Sequence, residues 1–192
     1  MYIETVPDET ATGETGLLYE QERERLGFLP NFVRAFSERP EVYRAWRQLN
    51  GAIQASTDLR RYELATLAAA RELRSSYCAL AHGKILAEQF LDPDAVAALP
   101  AGLDETDAGV MDLAAKVARD ATSVGPEDVE RLRRLGLDDD EILDVVLAAS
   151  VRCFFSKTLD ALGAEPDAVY LQLEPRLRAS LTVGRPIEAA PA

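Results

Sequence analysis

Apolar residues recur every three or four positions along most of the chain, a spacing that places them on one face of an α-helix. Ala, Leu, Glu and Arg dominate these segments. No run alternates Val, Ile, Thr and aromatic residues with polar ones, as a half-buried strand would. The pattern therefore predicts an all-α fold.

Capping residues, glycines and prolines mark the predicted helix ends. The first helix should end near Gly27, and Pro30 and Pro40 can each begin a further helix. Asp58 can cap an Ala- and Leu-rich helix over residues 59–73, and a helix that starts after Ser75 or Ser76 should run to about Phe90. Five more helices are predicted, at about 93–99, 105–120, 126–135, 139–162 and 166–174.

The organisation of the chain points to one domain. Its 192 residues are 47% hydrophobic, enough to bury one core, and no repeat or shift in composition marks a second domain. We expect residues 1–13 to be a flexible N-terminal segment and residues 14–175 a single helical domain. Residues 176–192 are predicted to be a mobile C-terminal tail.

Charge and hydropathy limit the partners. Lys and Arg number 21 against 33 Asp and Glu, and the resulting net charge of −12 repels a phosphate backbone. No basic stretch followed by an apolar run opens the sequence, and apolar runs such as 145–151 are far shorter than the about 20 residues of a membrane span. We predict a cytoplasmic protein that binds neither nucleic acid nor membrane.

The two cysteines differ in their settings. Two are too few for a disulfide framework and fit a reducing compartment. Cys153 shares helical spacing with Ile142, Val146 and Ala149, which predicts a core thiol, with a role in resolving an oxidised cysteine as the alternative.

Cys78 is the candidate nucleophile. The only histidine, His82, follows it by four residues, so both side chains should lie within contact range on one helix face. The imidazole can accept the thiol proton, and the imidazolium then stabilises the thiolate. A Ser75 cap accepting the amide of residue 77 or 78 would place Cys78 in the first turn, which favours an anion. The alternative is that Cys78 is a small core residue beside a histidine whose hydrogen bonds are satisfied, without a chemical role for either.

Glu63 is the candidate partner of that histidine. It lies among apolar residues, and a buried carboxylate needs a hydrogen-bond partner, either His82 or an arginine. Cys78 and His82 are only two ligands where structural zinc takes four, so we predict no metal site. No G-x-S-x-G elbow or glycine-rich phosphate loop is present, which argues against a serine hydrolase or a nucleotide-binding protein.

Three aromatic residues near the N-terminus, Phe32, Phe36 and Trp46, fall at helical spacings. We expect them to pack in the core or at a subunit contact, with an apolar substrate pocket as the alternative.

The residues 61–86, RYELATLAAARELRSSYCALAHGKIL, resemble the signature helix pair of the carboxymuconolactone decarboxylase and alkylhydroperoxidase D superfamily. The likeness is greatest to the peroxidase-related branch, whose site is a Glu, a C-x-x-C pair and a His four residues after the second Cys. Glu63, Cys78 and His82 stand at the matching positions, and Ser75 replaces the first cysteine.

Flanking segments carry the same resemblance over about residues 25–165. They are the GFLPNF stretch at 27–32, the DDDEILDVV helix start at 138 and the DALG ending at 160–163. Tyr77 beside Cys78 also resembles the Tyr-Cys pairing of the peroxidase-related branch.

The resemblance implies an alkylhydroperoxidase D-like helical bundle that assembles as trimers or hexamers. It implies a peroxidase without haem, flavin or metal, in which Cys78 attacks hydrogen peroxide or an organic hydroperoxide while His82 and Glu63 relay the proton. With Ser75 unable to form the usual disulfide, the sulfenic acid must react with Cys153 or with an external thiol reductant, or else turnover does not occur.

Two other functions remain open at this point. In a decarboxylase-like enzyme, His82 and Glu63 would act as acid and base on a small carboxylated substrate and the thiol would be dispensable. In a non-catalytic helical oligomer, Cys78 would be a sensor or a relic. An acidic substrate would favour a basic pocket, and the candidate cations flanking the site are Arg60, Arg61, Arg71, Arg74 and Lys84.

Overall fold

The structure, a computed structural model, describes residues 1–190. This part of the chain forms ten α-helices and three short 3₁₀ turns and contains no strand, so the predicted all-α fold is confirmed. The helices are α1 (Gly13–Leu26), α2 (Asn31–Arg34), α3 (Pro40–Ser56), α4 (Leu59–Glu72), α5 (Ser76–Gln89), α6 (Pro93–Ala98), α7 (Glu105–Asp120), α8 (Pro126–Arg134), α9 (Asp139–Leu162) and α10 (Pro175–Leu181).

Helix α4 is the centre of the bundle and packs against α5, α7 and α9. Every residue from Tyr62 to Ala70 is buried. A helix that is apolar nearly all round can only be stable inside a core, and its alanines let the neighbouring helices approach closely. Glu63 is a carboxylate in this buried stretch, so the fold itself places an acid in the interior.

Helix α9 has the bounds that the sequence predicts, 139–162. Asp138 caps it by accepting from the Glu141 amide at 2.9 Å, while the Glu141 carboxylate accepts from the Asp138 amide at 2.9 Å. Gly163, in the left-handed conformation with φ 70°, ends it. No helix within residues 1–190 is long and apolar enough to cross a membrane.

Other predicted ends also agree with the structure. Helix α1 ends before Gly27, which has φ 81°, and Pro40 is the first residue of α3. The Asp58 side chain caps α4 by accepting from the Arg61 amide at 3.0 Å. Pro30 caps the four-residue α2 instead of lying inside it, so the second helix is shorter than predicted.

The predicted helix at 166–174 is wrong. Residues Ala168–Gln172 form a 3₁₀ turn, and the α-helix of this region is α10, most of which lies in the segment predicted to be a tail. Helix α10 forms because Glu174 caps it, accepting from the Leu177 amide at 2.8 Å, and because Leu177 and Leu181 are buried.

Both chain ends have defined contacts. The Gly184 amide donates to Ser76 Oγ at 2.7 Å, and the Val6 amide donates to Ser37 Oγ at 3.0 Å. The mobility of residues 1–13 and 176–192 stays a prediction, and residues 191–192 of that tail lie outside the described residues.

Candidate functional site

The start of α5 carries the candidate nucleophile. Helix α5 begins at Ser76, so Cys78 lies in its first turn as predicted. The capping bond predicted for Ser75 is wrong, because its side chain accepts no amide of α5. Ser75 Oγ is buried and lies near Asp160 of α9 without a hydrogen bond of normal geometry. Ser75 therefore packs in the core behind the site.

Cys78, His82 and Glu63 line the same cavity, which has a volume of about 370 Å³. The first two come from successive turns of α5 and the third from α4. The structure thus brings together the three residues that the sequence singles out. Within residues 1–190, no group of three or more His, Cys, Asp and Glu side chains is arranged to hold a metal ion.

His82 and Glu63 form a buried pair. The distance from His82 Nδ1 to Glu63 Oε2 is 2.6 Å, so of the two partners considered for Glu63 the structure has the histidine and not an arginine. A carboxylate can only accept, so Nδ1 carries the hydrogen and Nε2 is the basic nitrogen. Glu63 Oε1 has no hydrogen-bond partner in the described part of the chain.

The charge state of His82 follows from its surroundings. Burial lowers the pKa of His82 below its ordinary value of 6.5, and the nearby Arg152 cation lowers it further. Glu63 opposes both effects without reversing them. The imidazole is therefore neutral at neutral pH and able to accept a proton.

The polar partner of Cys78 is Arg152, which sequence reasoning missed. Arg152 Nη1 lies 3.6 Å from Cys78 Sγ, whereas Cys78 and His82 form no hydrogen bond with each other. The two side chains lie on the same face of α5 as predicted, but the hydrogen bond of the His82 ring goes to Glu63 on α4 and not to Cys78. The sequence signal that could have indicated a buried arginine is the position of Arg152, a single charge between the apolar stretch 145–151 and two phenylalanines.

The guanidinium of Arg152 is a buried cation without a carboxylate partner among residues 1–190. Only 3% of the residue is exposed, and its Nε makes no hydrogen bond to the described residues. It lies over the rings of Trp46 and Phe155, at 5.9 and 5.6 Å. Burial opposes its charge, but Cys78 and Tyr62 outweigh burial and raise the pKa of Arg152. A permanent cation beside a sulfur stabilises the thiolate form.

Aromatic side chains form much of the cavity wall. Trp46 stacks on Phe155 with ring centroids 3.9 Å apart, and Phe32 packs edge-on against Tyr77 at 5.7 Å. Trp46 and Phe32 therefore line a cavity, whereas Phe36 packs in the core against Phe155. The aromatic residues lining the cavity are Phe32, Tyr43, Trp46, Tyr62, Tyr77 and Phe155.

Tyr77 supports the wall through its hydroxyl group. The hydroxyl donates to the Asp167 carboxylate and accepts from the Phe32 amide at 3.2 Å. Burial and the neighbouring Asp167 raise the pKa of Tyr77 well above 10. The hydroxyl is thus neutral and ties the start of α2 to α5.

The cations predicted to flank the site point elsewhere. Each has a partner outside the cavity: Arg60 pairs with Asp107, Arg61 with Glu141, Lys84 with Glu88, and Arg71 and Arg74 bond backbone carbonyls. The arginines that line the cavity come from other helices and are Arg25, Arg47 and Arg152.

Residues 40–120 match the model of the carboxymuconolactone decarboxylase family. The predicted resemblance to this superfamily is confirmed. The matched segment covers α3 to α7 and contains Glu63, Cys78 and His82. A search of curated proteins found no match.

Solved structures share the fold over most of the chain. An uncharacterized peroxidase-related protein with an alkylhydroperoxidase AhpD core from Ralstonia eutropha JMP134 has a TM-score of 0.78 at 21% identity, covering 90% of this chain and 95% of that one. An uncharacterized peroxidase-related protein from Silicibacter sp. TM1040 has a TM-score of 0.74 at 23% identity, covering 90% and 92%. The debrominase Bmp8, in complex with 2,3,4-tribromopyrrole, has a TM-score of 0.70 at 15% identity, covering 94% and 96%. The chain has the alkylhydroperoxidase D-like helical fold.

Within this alkylhydroperoxidase D-like fold, Cys153 lies apart from the cavity. It is half-buried on α9, is not among the cavity-lining residues, and directly follows Arg152, so the two side chains leave the helix in different directions. Burial raises the pKa of the Cys153 thiol. Both cysteines are free.

Proposed function

We propose that the chain is a cofactor-independent thiol peroxidase that reduces hydrogen peroxide or organic hydroperoxides through Cys78. The observation that carries the proposal is the contact between Cys78 Sγ and the buried Arg152 guanidinium, in a cavity shared with the His82–Glu63 pair. The family and the fold support an alkylhydroperoxidase-like or decarboxylase-like enzyme, and this thiol setting favours the first.

In the proposed reaction, the Cys78 thiolate attacks the terminal oxygen of the hydroperoxide. The S–O bond forms as the O–O bond breaks, so the sulfur is oxidised to a sulfenic acid and the peroxide is reduced. The other oxygen leaves as an alkoxide or hydroxide. Arg152 stabilises the thiolate before the attack, and its unpaired Nε can donate to the departing oxygen.

His82 and Glu63 would manage the proton. The neutral imidazole takes the thiol proton at Nε2, while the Nδ1 hydrogen bond to Glu63 holds the ring and stabilises the imidazolium. The same proton can then pass to the departing alkoxide or hydroxide, which gives an alcohol or water. The pair therefore acts as a relay.

We infer that an external thiol resets the enzyme. Ser75 cannot form a disulfide, and Cys153 is not among the residues that line the cavity. One thiol would condense with the sulfenic acid and release water, and a second would reduce the mixed disulfide and restore Cys78. This chemistry requires a reducing compartment, in keeping with the cytoplasm.

We also propose a homo-oligomer, a trimer or a hexamer. Helices α3 and α9 present an apolar groove to solvent, lined by Val42, Leu49, Ile53, Leu147 and Phe154, which we call the α3–α9 groove. Exposed apolar patches of this kind mark association surfaces.

A decarboxylase-like reaction is the second candidate. The observation that favours it is the buried His82–Glu63 pair, because Glu63 Oε1 has no hydrogen-bond partner among the described residues and an acid–base pair needs no help from the thiol. In that case Cys78 would be part of the wall only.

Steady-state peroxide consumption with a small dithiol as reductant tests the proposal. The wild-type chain should consume peroxide, Cys78→Ser should abolish consumption, and Cys153→Ser should leave it unchanged. Full activity in Cys78→Ser would refute the thiol mechanism and favour the second candidate.

A further inference from the structure

The charge of the cavity is opposite to the charge of the chain. The chain as a whole has a net charge of −12. Among the charged residues that line the cavity, however, three are arginines, Arg25, Arg47 and Arg152, and one is acidic, Glu63. A basic cleft in an acidic surface concentrates anions and excludes cations.

The mouth of the cavity carries one uncompensated positive charge. Arg25 of α1 and Arg47 of α3 are both partly exposed, and both pair with the same fully buried carboxylate, Glu22. The distance from Arg25 Nη2 to Glu22 Oε2 is 2.5 Å, and Arg47 Nη1 bonds Glu22 Oε1. One carboxylate cannot neutralise two guanidiniums, so one positive charge at the mouth has no protein counter-ion in this cluster.

The cavity between the mouth and the sulfur has flat, apolar walls. Trp46 adjoins Arg47 on α3 and stacks on Phe155, whose ring lies under Arg152. Tyr43, one turn earlier on α3, packs against Trp46 with ring centroids 6.0 Å apart. Aromatic walls of this kind favour a planar apolar body, and about 370 Å³ is at the small end of ligand cavities.

We propose that the substrate is a small organic anion, a hydroperoxide with a carboxylate on a flat apolar body. The carboxylate binds Arg47 and Arg25 at the mouth, the body packs against the cavity wall that Trp46 and Tyr43 form, and the O–O group reaches Cys78. The bond between the sulfur and the terminal oxygen forms as the O–O bond breaks, so Cys78 is oxidised to a sulfenic acid. The departing oxygen takes the proton held by His82 and becomes an alcohol, and the carboxylate is unchanged. This substrate class rests on the proposed function.

Binding can be measured without any peroxide chemistry, because Trp46 is the only tryptophan and lines the cavity. The probes are 4-isopropylbenzoate and its neutral analogue 4-isopropylbenzamide, titrated against the fluorescence of Trp46 at low ionic strength. We expect the carboxylate to bind about tenfold more tightly. Salt should weaken the preference, since the mouth is open to solvent.

Substitution of Arg47 tests whether the carboxylate binds at the mouth of the cavity or elsewhere on the protein. Arg47→Gln leaves Glu22 paired with Arg25 and removes the excess charge, so the preference for the carboxylate should disappear. Arg44→Gln is the matched control: Arg44 also lies on α3, pairs with Glu14 and does not line the cavity. Equal binding of the two probes, or a preference that survives Arg47→Gln, would overturn the proposal.

Kinetics then separate this proposal from the proposed function. In the wild-type chain, oxidation of Cys78 should be about tenfold faster with 4-carboxycumene hydroperoxide than with cumene hydroperoxide. In Arg47→Gln the two hydroperoxides should oxidise Cys78 at the same rate. Oxidation of the wild-type chain at equal rates by the two would overturn the substrate class and leave the peroxidase intact. A preference for the benzoate with no oxidation by any hydroperoxide would overturn the peroxidase and support an anion site.

Discussion

Cys78 differs from an ordinary core cysteine in a single contact. The residue is 2% exposed, and its sulfur lies 3.6 Å from Nη1 of Arg152, in a cavity where the histidine is hydrogen-bonded to Glu63. The cation beside the sulfur is therefore the arginine, and the imidazole is neutral. In the proposed mechanism these two groups have separate roles, charge stabilisation and proton transfer, and each can be removed separately.

Loss of the Arg152 cation should slow Cys78. In a Cys153→Ser background, Arg152→Met should reduce the rate of alkylation by iodoacetamide at neutral pH by about 10- to 100-fold, because a hydrogen bond to the charged form is lost. Arg152→Lys keeps a cation and should retain more of the rate. Alkylation of Arg152→Met at the wild-type rate would show that the guanidinium does not activate the sulfur.

The lowered pKa of His82 makes stability depend on pH. Above the unfolded pKa of about 6.5 the imidazole is neutral in both states, so it contributes no pH dependence. As pH falls below that value the unfolded chain binds a proton that the folded chain does not, and stability decreases by at most about 1.4 kcal/mol per pH unit until the folded pKa is reached.

Urea unfolding at pH 7.5 and 5.5 measures this effect. The wild-type chain should lose more stability between these values than His82→Gln, which lacks the titrating group. An equal loss in the two proteins would mean that the buried imidazole does not resist protonation.

At the scale of elements, two adjacent helices could be predicted almost completely. Glu63, Cys78 and His82 lie in one continuous run, where helical spacing and the likeness to a known helix pair fix their register. Arg152 is 74 residues from Cys78 in the sequence, and its contact depends on how α9 packs against α4 and α5. Hydrophobic periodicity predicts where a helix lies in the sequence but not which helix it packs against. The site positions of Arg152 and of the mouth residues Arg25 and Arg47 therefore could not be predicted.

The C-terminal segment could not be predicted for a related reason. Its two buried leucines are too few to give a periodic signal, and the position of α10 depends on its contacts with α5 and α6. The final stretch approaches the connection between α4 and α5 so closely that a methyl group on Gly184 would overlap the backbone carbonyl oxygen of Arg74.

This close approach predicts opposite effects of the same substitution at two glycines. Gly184→Ala should destabilise the fold by about 1–3 kcal/mol, because a backbone atom cannot move aside as a side chain does. Gly51→Ala, inside α3 with no atom near the new methyl group, should stabilise it by about 0.5–1 kcal/mol. Urea midpoints measure both, and a stable Gly184→Ala would mean that the tail does not dock there.

At the scale of the whole molecule, the acidic surface surrounds a basic cavity and an apolar groove. The α3–α9 groove leaves Leu49 and Phe154 about half exposed, at 55% and 46%, close to the cavity wall that Trp46 forms from the other side. Association at this groove would place the cavity near a subunit boundary.

Charge in the groove should therefore disrupt the proposed oligomer. Light scattering should give the wild-type chain a mass three or six times 21.0 kDa, and Leu49→Glu with Phe154→Glu should lower it. Leu17→Glu, at an equally exposed leucine on α1, is the control and should leave the mass unchanged. A wild-type monomer would refute the oligomer.

The most direct test of whether Cys78 reacts with peroxide is a measurement of the intact mass of the protein. The protein is exposed briefly to stoichiometric hydrogen peroxide or cumene hydroperoxide with dimedone present, and peptide mapping then locates any adduct. Dimedone traps a sulfenic acid as a stable adduct. We expect one adduct, on Cys78 and not on Cys153, formed more slowly in Arg152→Met. An unmodified Cys78 with both peroxides, or an adduct confined to Cys153, would contradict it.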